Sequence, residues 1–263
     1  MAGYMVAANL HLQLIHLVGL ILGTGLLIAS ACVFNNYLDI NIDQKMERTA
    51  QRQLVTGLIT AKNAIIFAVI LLIISLSILL ILTNLTVFLL GLVSFIFYVI
   101  IYGYFKRHSI YGTLIGTIPG AASLAAGYLA KNNQLSLVLL FLVLIMIVWQ
   151  LAHFYAISIY RYDDYKQANL PVWSVVKGLN KTKNQIIINQ VLLVVVSLFF
   201  VFLSSQLKFF GLIFGIVTFG WLIYGLRLFN KVKIKLWAQK IFISSLVVNL
   251  IFIFLLIFNF LIK

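Results

Sequence analysis

The chain has 263 residues, of which 63% are hydrophobic and only 9% are charged, and its mean hydropathy is +1.13. Soluble domains carry about 25% charged residues, so this composition excludes a soluble globular domain and indicates a protein that lies within the lipid bilayer. The net charge of +14 does not indicate nucleic-acid binding, because the basic residues are spread over short loops, and the single cysteine, Cys32, excludes a disulfide framework.

Apolar runs follow one another along nearly the whole sequence, and about 20 apolar residues are enough for one helical membrane span. The runs lie at 12–36, 61–82, 86–104, 111–130, 136–160, 185–204, 208–228 and 240–261. We therefore predict an all-α, polytopic transmembrane helical bundle with about eight spans, which forms a single domain over residues 1–263.

The basic residues indicate how the bundle is oriented. When successive loops are assigned to alternate sides of the membrane, 16 of the 19 basic residues fall on one side, and only Lys131, Lys208 and Lys263 fall on the other. Loops rich in Lys and Arg stay in the cytoplasm. We therefore predict a multi-pass protein of the cell inner (cytoplasmic) membrane, whose two long loops, 38–60 and 161–184, place the active site on the cytoplasmic side.

All five acidic residues lie in those two loops. In the first loop, Asn35, Asp39, Asp43 and Glu47 follow one another at steps of four, which would keep them on one face of a continuing helix. Unpaired carboxylates one turn apart repel each other, and Mg²⁺, which binds carboxylate and amide oxygens, would relieve the repulsion. The alternative is a salt-bridge network in which these acids pair with Lys45, Arg48 and Arg52.

The second acidic loop follows the fifth predicted span. Tyr160 and Asp164 lie along one helical face, Arg161 is beside it, and Asp163 points elsewhere if the helix continues. Two acidic sites on one side of the membrane suit a diphosphate that is held through Mg²⁺.

Basic residues near the two acidic loops are candidates for direct contact with such a diphosphate. Tyr102 precedes Lys106 and Arg107 by about one helical turn, and all three side chains are able to bond diphosphate oxygens. Arg48 and Arg52, spaced by four beside the first acids, serve either diphosphate binding or charge balance.

At this point the sequence resembles the UbiA-type intramembrane prenyltransferases, whose first signature is an Asn followed by Asp residues at steps of four. Asn35, Asp39 and Asp43 match that signature, and Tyr102, Lys106 and Arg107 match the family's YxxxKR element. The segments ASACVFNNYLDINIDQKMERTAQRQLVTGLIT and WQLAHFYAISIYRYDDYKQANLPVWSVVKG are most similar to the branch that prenylates heme. The resemblance implies transfer of farnesyl from farnesyl diphosphate to a vinyl group of heme b, with addition of water.

The resemblance also implies roles for individual residues. The catalytic carboxylates would be Asp39, Asp43 and Asp164, which together with Asn35 would bind Mg²⁺ as the cofactor. The diphosphate would be bound by Asn35, Arg48, Arg52, Tyr102, Lys106 and Arg107. On the acceptor side, His153 would ligate or orient the heme, next to Trp149, Tyr160 and Arg161. Whether a heme A synthase or a terminal oxidase associates with the chain is left open.

Two departures from the family pattern are visible. The family usually has proline at the positions of Gln53, Ala152 and Ser174, and a proline pair near Ser123 and Leu124, so helix bends there are expected to differ. The family also usually has nine spans, so MAGYMVAA is expected to be the end of a first helix whose beginning is absent from this chain.

Two alternative functions stay open at this stage. The first is a UbiA-type prenyltransferase that acts on a quinone precursor or on chlorophyllide. The second is an ion-coupled transporter, because ion pathways also use rare intramembrane charges. A transporter would place its charges near the bilayer midplane, often at broken helices, whereas the acids here lie at span ends and the chain has only two prolines.

Overall fold

The computed structural model describes residues 1–8, 12–203 and 207–262, with side chains up to residue 258. The regular structure in these ranges is entirely helical. The helices are α1 (Ala2–Ala7), α2 (Leu14–Leu38), α3 (Ile40–Asp43), α4 (Gln53–Thr56), α5 (Ala61–Leu82), α6 (Leu85–Ile96), a π-helical segment (Phe97–Tyr102), α7 (Gly103–His108), α8 (Gly112–Lys131), α9 (Leu137–Tyr160), α10 (Tyr162–Gln167), α11 (Trp173–Val176), α12 (Leu179–Leu203), α13 (Lys208–Leu228) and α14 (Ile234–Ile262).

Eight helices in the described ranges are long and apolar enough to cross a membrane, with α6, the π-helical segment and α7 forming one continuous span. The predicted all-α transmembrane bundle is therefore confirmed. Two boundaries differ by about one and a half turns: the sixth span begins at Leu179 and the eighth at Ile234, not at 185 and 240. Apolarity marks only the part of a helix that lies in hydrocarbon, whereas helical hydrogen bonding continues into polar turns outside it.

Helices α8, α9 and α13 are the most enclosed spans of the bundle, and many large apolar side chains on the other spans face outward. Close helix contacts occur where side chains are small, as is usual in membranes. A Cβ atom added at Gly3 would lie 2.1 Å from the Leu124 carbonyl oxygen, so α1 packs directly on α8. A Cβ atom at Gly120 would lie 2.0 Å from Oε1 of Gln150, which similarly fixes α8 against α9.

Buried side-chain hydrogen bonds join helices that are far apart in the sequence. The Trp149 indole of α9 donates to the Ser245 carbonyl of α14 at 2.9 Å, and the Ser30 hydroxyl of α2 donates to the Ala68 carbonyl of α5 at 2.7 Å. Interhelical bonds of this kind contribute about 0.6 kcal/mol each in membrane proteins. They therefore define the arrangement of the helices more than they stabilise it.

The two long loops at the basic end of the bundle pack against each other. Met46 of the first loop forms a small buried cluster with Ala168 and Leu170 of the second, and Ile42 and Tyr165 pack against its edge. This contact brings the segment that follows α2 next to the segment that follows α9. The two acidic loops are thus neighbours, as their shared side of the membrane predicts.

Candidate active site

A cavity of about 500 Å³ opens between the two long loops and the ends of the helices that carry them. This volume lies within the range of about 300–1,000 Å³ that is typical of small-molecule sites. The polar residues that line it are Asn35, Asp39, Asp43, Arg48, Arg52, Tyr98, Tyr102, Lys106, Ser109, Thr113, Ser158, Arg161 and Tyr165. The remaining lining residues are Ile42, Met46, Gly112, Gly116, Phe154, Ile157, Tyr160, Leu170, Val172 and Phe242.

Asp39 is the most heavily bonded carboxylate of the cavity. Its side chain is buried, with only 2% of its surface exposed, and forms ion pairs with Lys106 and Arg107; the Arg107 Nη2 atom lies 2.9 Å from Oδ1. The Asn35 amide donates to Oδ2 at 2.9 Å. The first acidic motif and the YxxxKR element therefore form one connected polar group, although they are more than 60 residues apart in the chain.

Asp43 is the second buried carboxylate. Its Oδ2 atom accepts a bond of 2.5 Å from Arg52, and the same Arg52 nitrogen also lies 2.9 Å from Oδ1 of Asn36. The prediction that the acids of the first loop are unpaired is therefore wrong for Asp39 and Asp43. The alternative network is only partly present, because its ion pair uses Arg52, whereas Arg48 lines the cavity without pairing with an acid in the described part of the chain.

The predicted ladder of four polar residues on one continuous helix is also wrong at its end. Helix α2 ends at Leu38, Asp39 adopts φ −93° and ψ 4°, and only one turn of helix follows before the chain enters turns at Gln44. Asn35, Asp39 and Asp43 keep a common direction through this break and line the cavity, whereas Glu47 lies on an exposed turn. A run of polar side chains leaving the membrane favours such a break, because these side chains compete for backbone hydrogen bonds.

The π-helical segment directs two tyrosines to the cavity. The rings of Tyr98 and Tyr102 stack with centroids 5.3 Å apart, and both line the cavity, about two turns and one turn before Lys106. The Tyr102 ring lies over Gly116 of α8, where an added Cβ atom would lie 2.8 Å from the ring. Short π-helical segments are frequent at functional sites. Here the segment changes the helical register just before the YxxxKR cations.

The second acidic loop contributes less directly than predicted. Asp164 does not line the cavity, although its Oδ2 atom is buried and has no hydrogen-bond partner among the described residues. Its neighbour Tyr165 does line the cavity, and burial raises the pKa of this phenol, with Arg48 opposing the shift. Asp163 points away, as predicted, and pairs with Lys235 of α14.

Of the residues predicted to bind Mg²⁺, the cavity thus contains Asn35, Asp39 and Asp43 but not Asp164. Within the described ranges, no three His, Cys, Asp or Glu side chains converge closely enough to form a metal cage. The oxygen donors still suit Mg²⁺, which commonly binds through one or two carboxylates and completes its shell with water and substrate phosphates.

The acceptor residues divide into two groups. Tyr160 and Arg161 line the cavity, and the Arg161 guanidinium lies 4.7 Å from the centroid of the Tyr160 ring. His153 and Trp149 do not line it. They stack on each other with centroids 5.1 Å apart, and Nδ1 of His153 lies 2.7 Å from the Ser245 hydroxyl of α14.

Phe242 separates His153 from the cavity and was missed by sequence reasoning. Its ring lies 5.1 Å from the His153 ring and 6.4 Å from the Tyr160 ring, and it forms part of the cavity wall. No sequence signal marks it, because it is one of 21 phenylalanines and lies in a span without a motif. Phe154, from α9, lines the same wall and was not predicted either.

A helical membrane bundle whose cavity is lined by buried carboxylates and cations together with aromatic rings is suited to an enzyme whose substrate has an anionic head and an apolar body. The chain belongs to the UbiA prenyltransferase family, whose family model matches residues 1–246. The predicted resemblance and the prediction of a membrane-embedded prenyltransferase are thereby confirmed. The transporter alternative finds no support.

Relatives and solved structures agree with this membership. The chain is 38% identical over 255 residues to the protoheme IX farnesyltransferase of Protochlamydia amoebophila, a match that covers 94% of this chain and 88% of the relative. It is also 38% identical over 247 residues to the protein of the same name in Yersinia pseudotuberculosis, which covers 93% and 83% of the two chains.

Solved structures share the fold at low sequence identity. A digeranylgeranylglyceryl phosphate synthase has a TM-score of 0.79 at 18% identity, covering 100% of this chain and 91% of that one. A UbiA homologue from Archaeoglobus fulgidus bound to GPP and Mg²⁺ has a TM-score of 0.70 at 16% identity, covering 97% and 94%.

Proposed function

We propose that this chain transfers the farnesyl group of farnesyl diphosphate to a vinyl group of heme b, with addition of water, in a Mg²⁺-dependent reaction that yields heme O. The observation that carries the proposal is the cavity, which is lined by Asp39 and Lys106 together with the aromatic rings of Phe154, Tyr160 and Phe242, which we call the aromatic wall. Arg107 does not line the cavity itself but pairs with Asp39. The names of the relatives, protoheme IX farnesyltransferase, support heme and farnesyl as the substrates.

The cationic side of the cavity would bind the diphosphate. Lys106, Arg107 and Arg52 are already gathered around the two buried carboxylates, and Arg48 and Tyr102 complete the set of donors. Charge-assisted bonds to phosphate oxygens are about twice as strong as neutral ones. We infer that these residues hold the diphosphate with its first farnesyl carbon toward the aromatic wall.

Mg²⁺ would be held by Asn35, Asp39 and Asp43, and when bound it supplies positive charge to the diphosphate oxygens. We keep Asp164 in the proposed set because a buried carboxylate oxygen without a hydrogen-bond partner is uncommon in proteins. The Archaeoglobus fulgidus homologue bound to GPP and Mg²⁺ supports a prenyl diphosphate and Mg²⁺ as the two molecules that this chain binds together.

The reaction begins when the bond between the first farnesyl carbon and the diphosphate oxygen breaks and the electron pair leaves with the diphosphate. Lys106, Arg107 and Arg52 stabilise the growing negative charge by donating to its oxygens. The heme vinyl group then attacks the allylic cation, the new cation beside the porphyrin takes up water, and that water loses a proton. The apolar wall that contains Phe154 and Phe242 excludes water until the carbon–carbon bond has formed.

The acceptor would lie along the aromatic wall. Tyr160 and Phe242 stack with an interplanar angle of 17°, and Arg161 lies beside them. This arrangement suits a flat macrocycle that carries acidic side chains. We propose that Arg161 pairs with a heme propionate and that His153, with Trp149 behind it, orients the wall or reaches the heme after Phe242 moves.

The orientation follows from the loops. The cavity lies at the bundle end that carries most of the basic residues, so we propose that the chain lies in the inner membrane with its active site facing the cytoplasm. Association with a heme A synthase or a terminal oxidase stays a proposal that no contact of the described residues addresses.

The test is to incubate the purified chain in detergent with Mg²⁺, heme b and farnesyl diphosphate and to measure heme O by mass. We expect a product heavier than heme b by one farnesyl group and one hydroxyl group, and a loss of at least about 100-fold in rate for Asp43→Asn. Asp163→Asn is the matched control, because this carboxylate is exposed and outside the cavity. Turnover of an aromatic quinone precursor in place of heme would refute the proposed acceptor.

A further inference from the structure

A second cavity, of about 510 Å³, lies on the outside of the bundle where α12 begins and α13 ends. We call it the α12–α13 groove. Its lining consists of Asn184, Ile187, Ile188, Leu226, Arg227, Phe229, Asn230 and Lys231. None of these residues lines the proposed active site, so the groove is a separate feature that the proposed function does not use.

The floor of the groove is apolar and fixed in place. Ile188 and Leu226 expose 48% and 47% of their surface, as expected of side chains that face lipid. Phe229 closes one end, and its position is held from inside the bundle by Lys183. The Lys183 ammonium lies 3.6 Å from the centroid of the Phe229 ring and also donates to the Phe229 carbonyl. The Lys183 ammonium, which supports the floor of the groove, is thus already bonded to the protein.

The rim of the groove carries positive charge that the protein does not neutralise. Arg227 and Lys231 are exposed, and neither forms an ion pair in the part of the chain that the structure describes. No acidic residue lines the groove, and the exposed amides of Asn184 and Asn230 add hydrogen-bond donors beside the two cations. An anion would therefore meet charges and donors without displacing a protein carboxylate.

Basic residues at this end of the bundle also follow from membrane topology. Topology requires only that positive charge be present on a loop, however, and it gives no reason for a concave surface with an apolar floor beneath the charges. A groove that is cationic at the helix ends and apolar along the helices matches the order of groups in a phospholipid. Basic pockets between membrane helices on the cytoplasmic side bind anionic headgroups in the same way.

We propose that the α12–α13 groove binds one anionic phospholipid. The phosphate group would lie between Arg227 and Lys231, and Asn184 and Asn230 would donate to its oxygens. One acyl chain would lie along the exposed Ile188 and Leu226. The site depends on neither the prenyl donor nor the acceptor, so it is testable whether or not the proposed reaction is correct.

The experiment uses the full chain, purified in detergent and titrated with phosphatidylglycerol or phosphatidylcholine, with bound lipid counted by native mass spectrometry. We expect one phosphatidylglycerol to bind in preference to phosphatidylcholine. The double variant Arg227→Gln, Lys231→Gln should bind phosphatidylglycerol about tenfold more weakly, the effect of losing one or two charge-assisted hydrogen bonds. Lys62→Gln, Lys177→Gln is the matched control: it removes the same charge from exposed positions outside the groove on the same predicted side of the membrane, and we expect no change.

Equal weakening in the two double variants would overturn the proposal, because it would show a general charge effect. Equal binding of the two lipids by the wild-type chain would overturn it as well. Inorganic phosphate is added at the same concentrations as a third arm; displacement of the lipid by phosphate would assign the groove to a free anion. If the double variant does not fold, Lys231→Gln and Lys177→Gln provide the same comparison with a smaller expected difference.

Discussion

Replacing Asp39 by asparagine should have opposite effects on stability and on diphosphate binding. The Asp39 side chain is 2% exposed and forms ion pairs with Lys106 and Arg107, whose side chains are 20% and 28% exposed. Asp39→Asn keeps the shape but removes the charge that both cations face. Breaking a fully buried ion pair costs about 3–5 kcal/mol, and because these cations still reach solvent, we expect a loss of about 2 kcal/mol in the free energy of unfolding.

The same substitution should strengthen the binding of inorganic diphosphate when Mg²⁺ is absent. In the wild-type chain, a diphosphate has to compete with Asp39 for Lys106 and Arg107, and the carboxylate also repels it. In the variant the two cations are free of that competition. In the wild-type chain, diphosphate has to replace at least one charge-assisted bond of Asp39. Without that bond, the binding of diphosphate should improve by about 1.5 kcal/mol, or roughly tenfold in affinity. Turnover with Mg²⁺ should nevertheless be lost, because a proposed metal ligand is missing.

The assay is isothermal titration of detergent-purified protein with inorganic diphosphate in the presence of a chelator, together with thermal unfolding of the same samples. Asp163→Asn is the control for the loss of one negative charge, because its pair with Lys235 is exposed and surface pairs contribute about 0–1 kcal/mol. Weaker Mg²⁺-free diphosphate binding by Asp39→Asn would refute the reasoning, since it would mean that Asp39 arranges the cations for the diphosphate and does not compete with it.

Three further predictions concern the walls of the cavity. Gly116→Ala should lower kcat/KM about tenfold and destabilise the chain by about 1–2 kcal/mol, because the added Cβ lies 2.8 Å from the Tyr102 ring. Gly220→Ala, at an open position, should change neither kinetics nor unfolding. Phe242→Ala should weaken heme binding about tenfold in an absorption titration while leaving diphosphate binding unchanged, since its ring lies on the aromatic wall. His153→Ala should alter the heme absorption spectrum only if the imidazole reaches the iron; an unchanged spectrum assigns it to positioning Phe242 and α14.

The number and the order of the membrane spans could be predicted from the sequence because lipid imposes one requirement on every span. Each segment has to satisfy its own backbone hydrogen bonds and present an apolar surface about 20 residues long. That requirement is local, so it can be recognised without knowing which helices touch. The start of α12 was missed because its first two turns are polar, and the start of α14 because Lys235, Gln239 and Lys240 interrupt its first apolar residues.

The acidic side of the site was predictable for a similar reason. Carboxylates are costly near lipid and therefore rare in this chain, so the positions of Asp39 and Asp43 indicated a site. The same argument also selected Asp164, which does not line the cavity. The residues of the aromatic wall do not stand out in the sequence in this way. Phe242 and Phe154 belong to a residue type that membrane helices use throughout for packing, and only the contact of α14 with α9 shows which of them line the cavity.

The pairing of Asp39 with Lys106 and Arg107 was not predictable, because it depends on tertiary contacts over 67 and 68 residues. The pair of Asp43 with Arg52 spans only nine residues and belongs to the salt-bridge alternative that the sequence offered. Sequence spacing suggested repelling carboxylates that need a metal ion, whereas the fold neutralises Asp39 with Lys106 and Arg107, and Asp43 with Arg52. Mg²⁺ alone would bind the carboxylates and leave the cations without a counter-charge. Diphosphate alone would bind the cations and leave the carboxylates without one, so neither ion alone gains much from such a site. In the proposed function, Asp39 and Asp43 would hold Mg²⁺ while Lys106, Arg107 and Arg52 would hold the diphosphate, so that no group would lose its counter-charge. The ion pairs would therefore favour the metal–diphosphate complex over either ion alone.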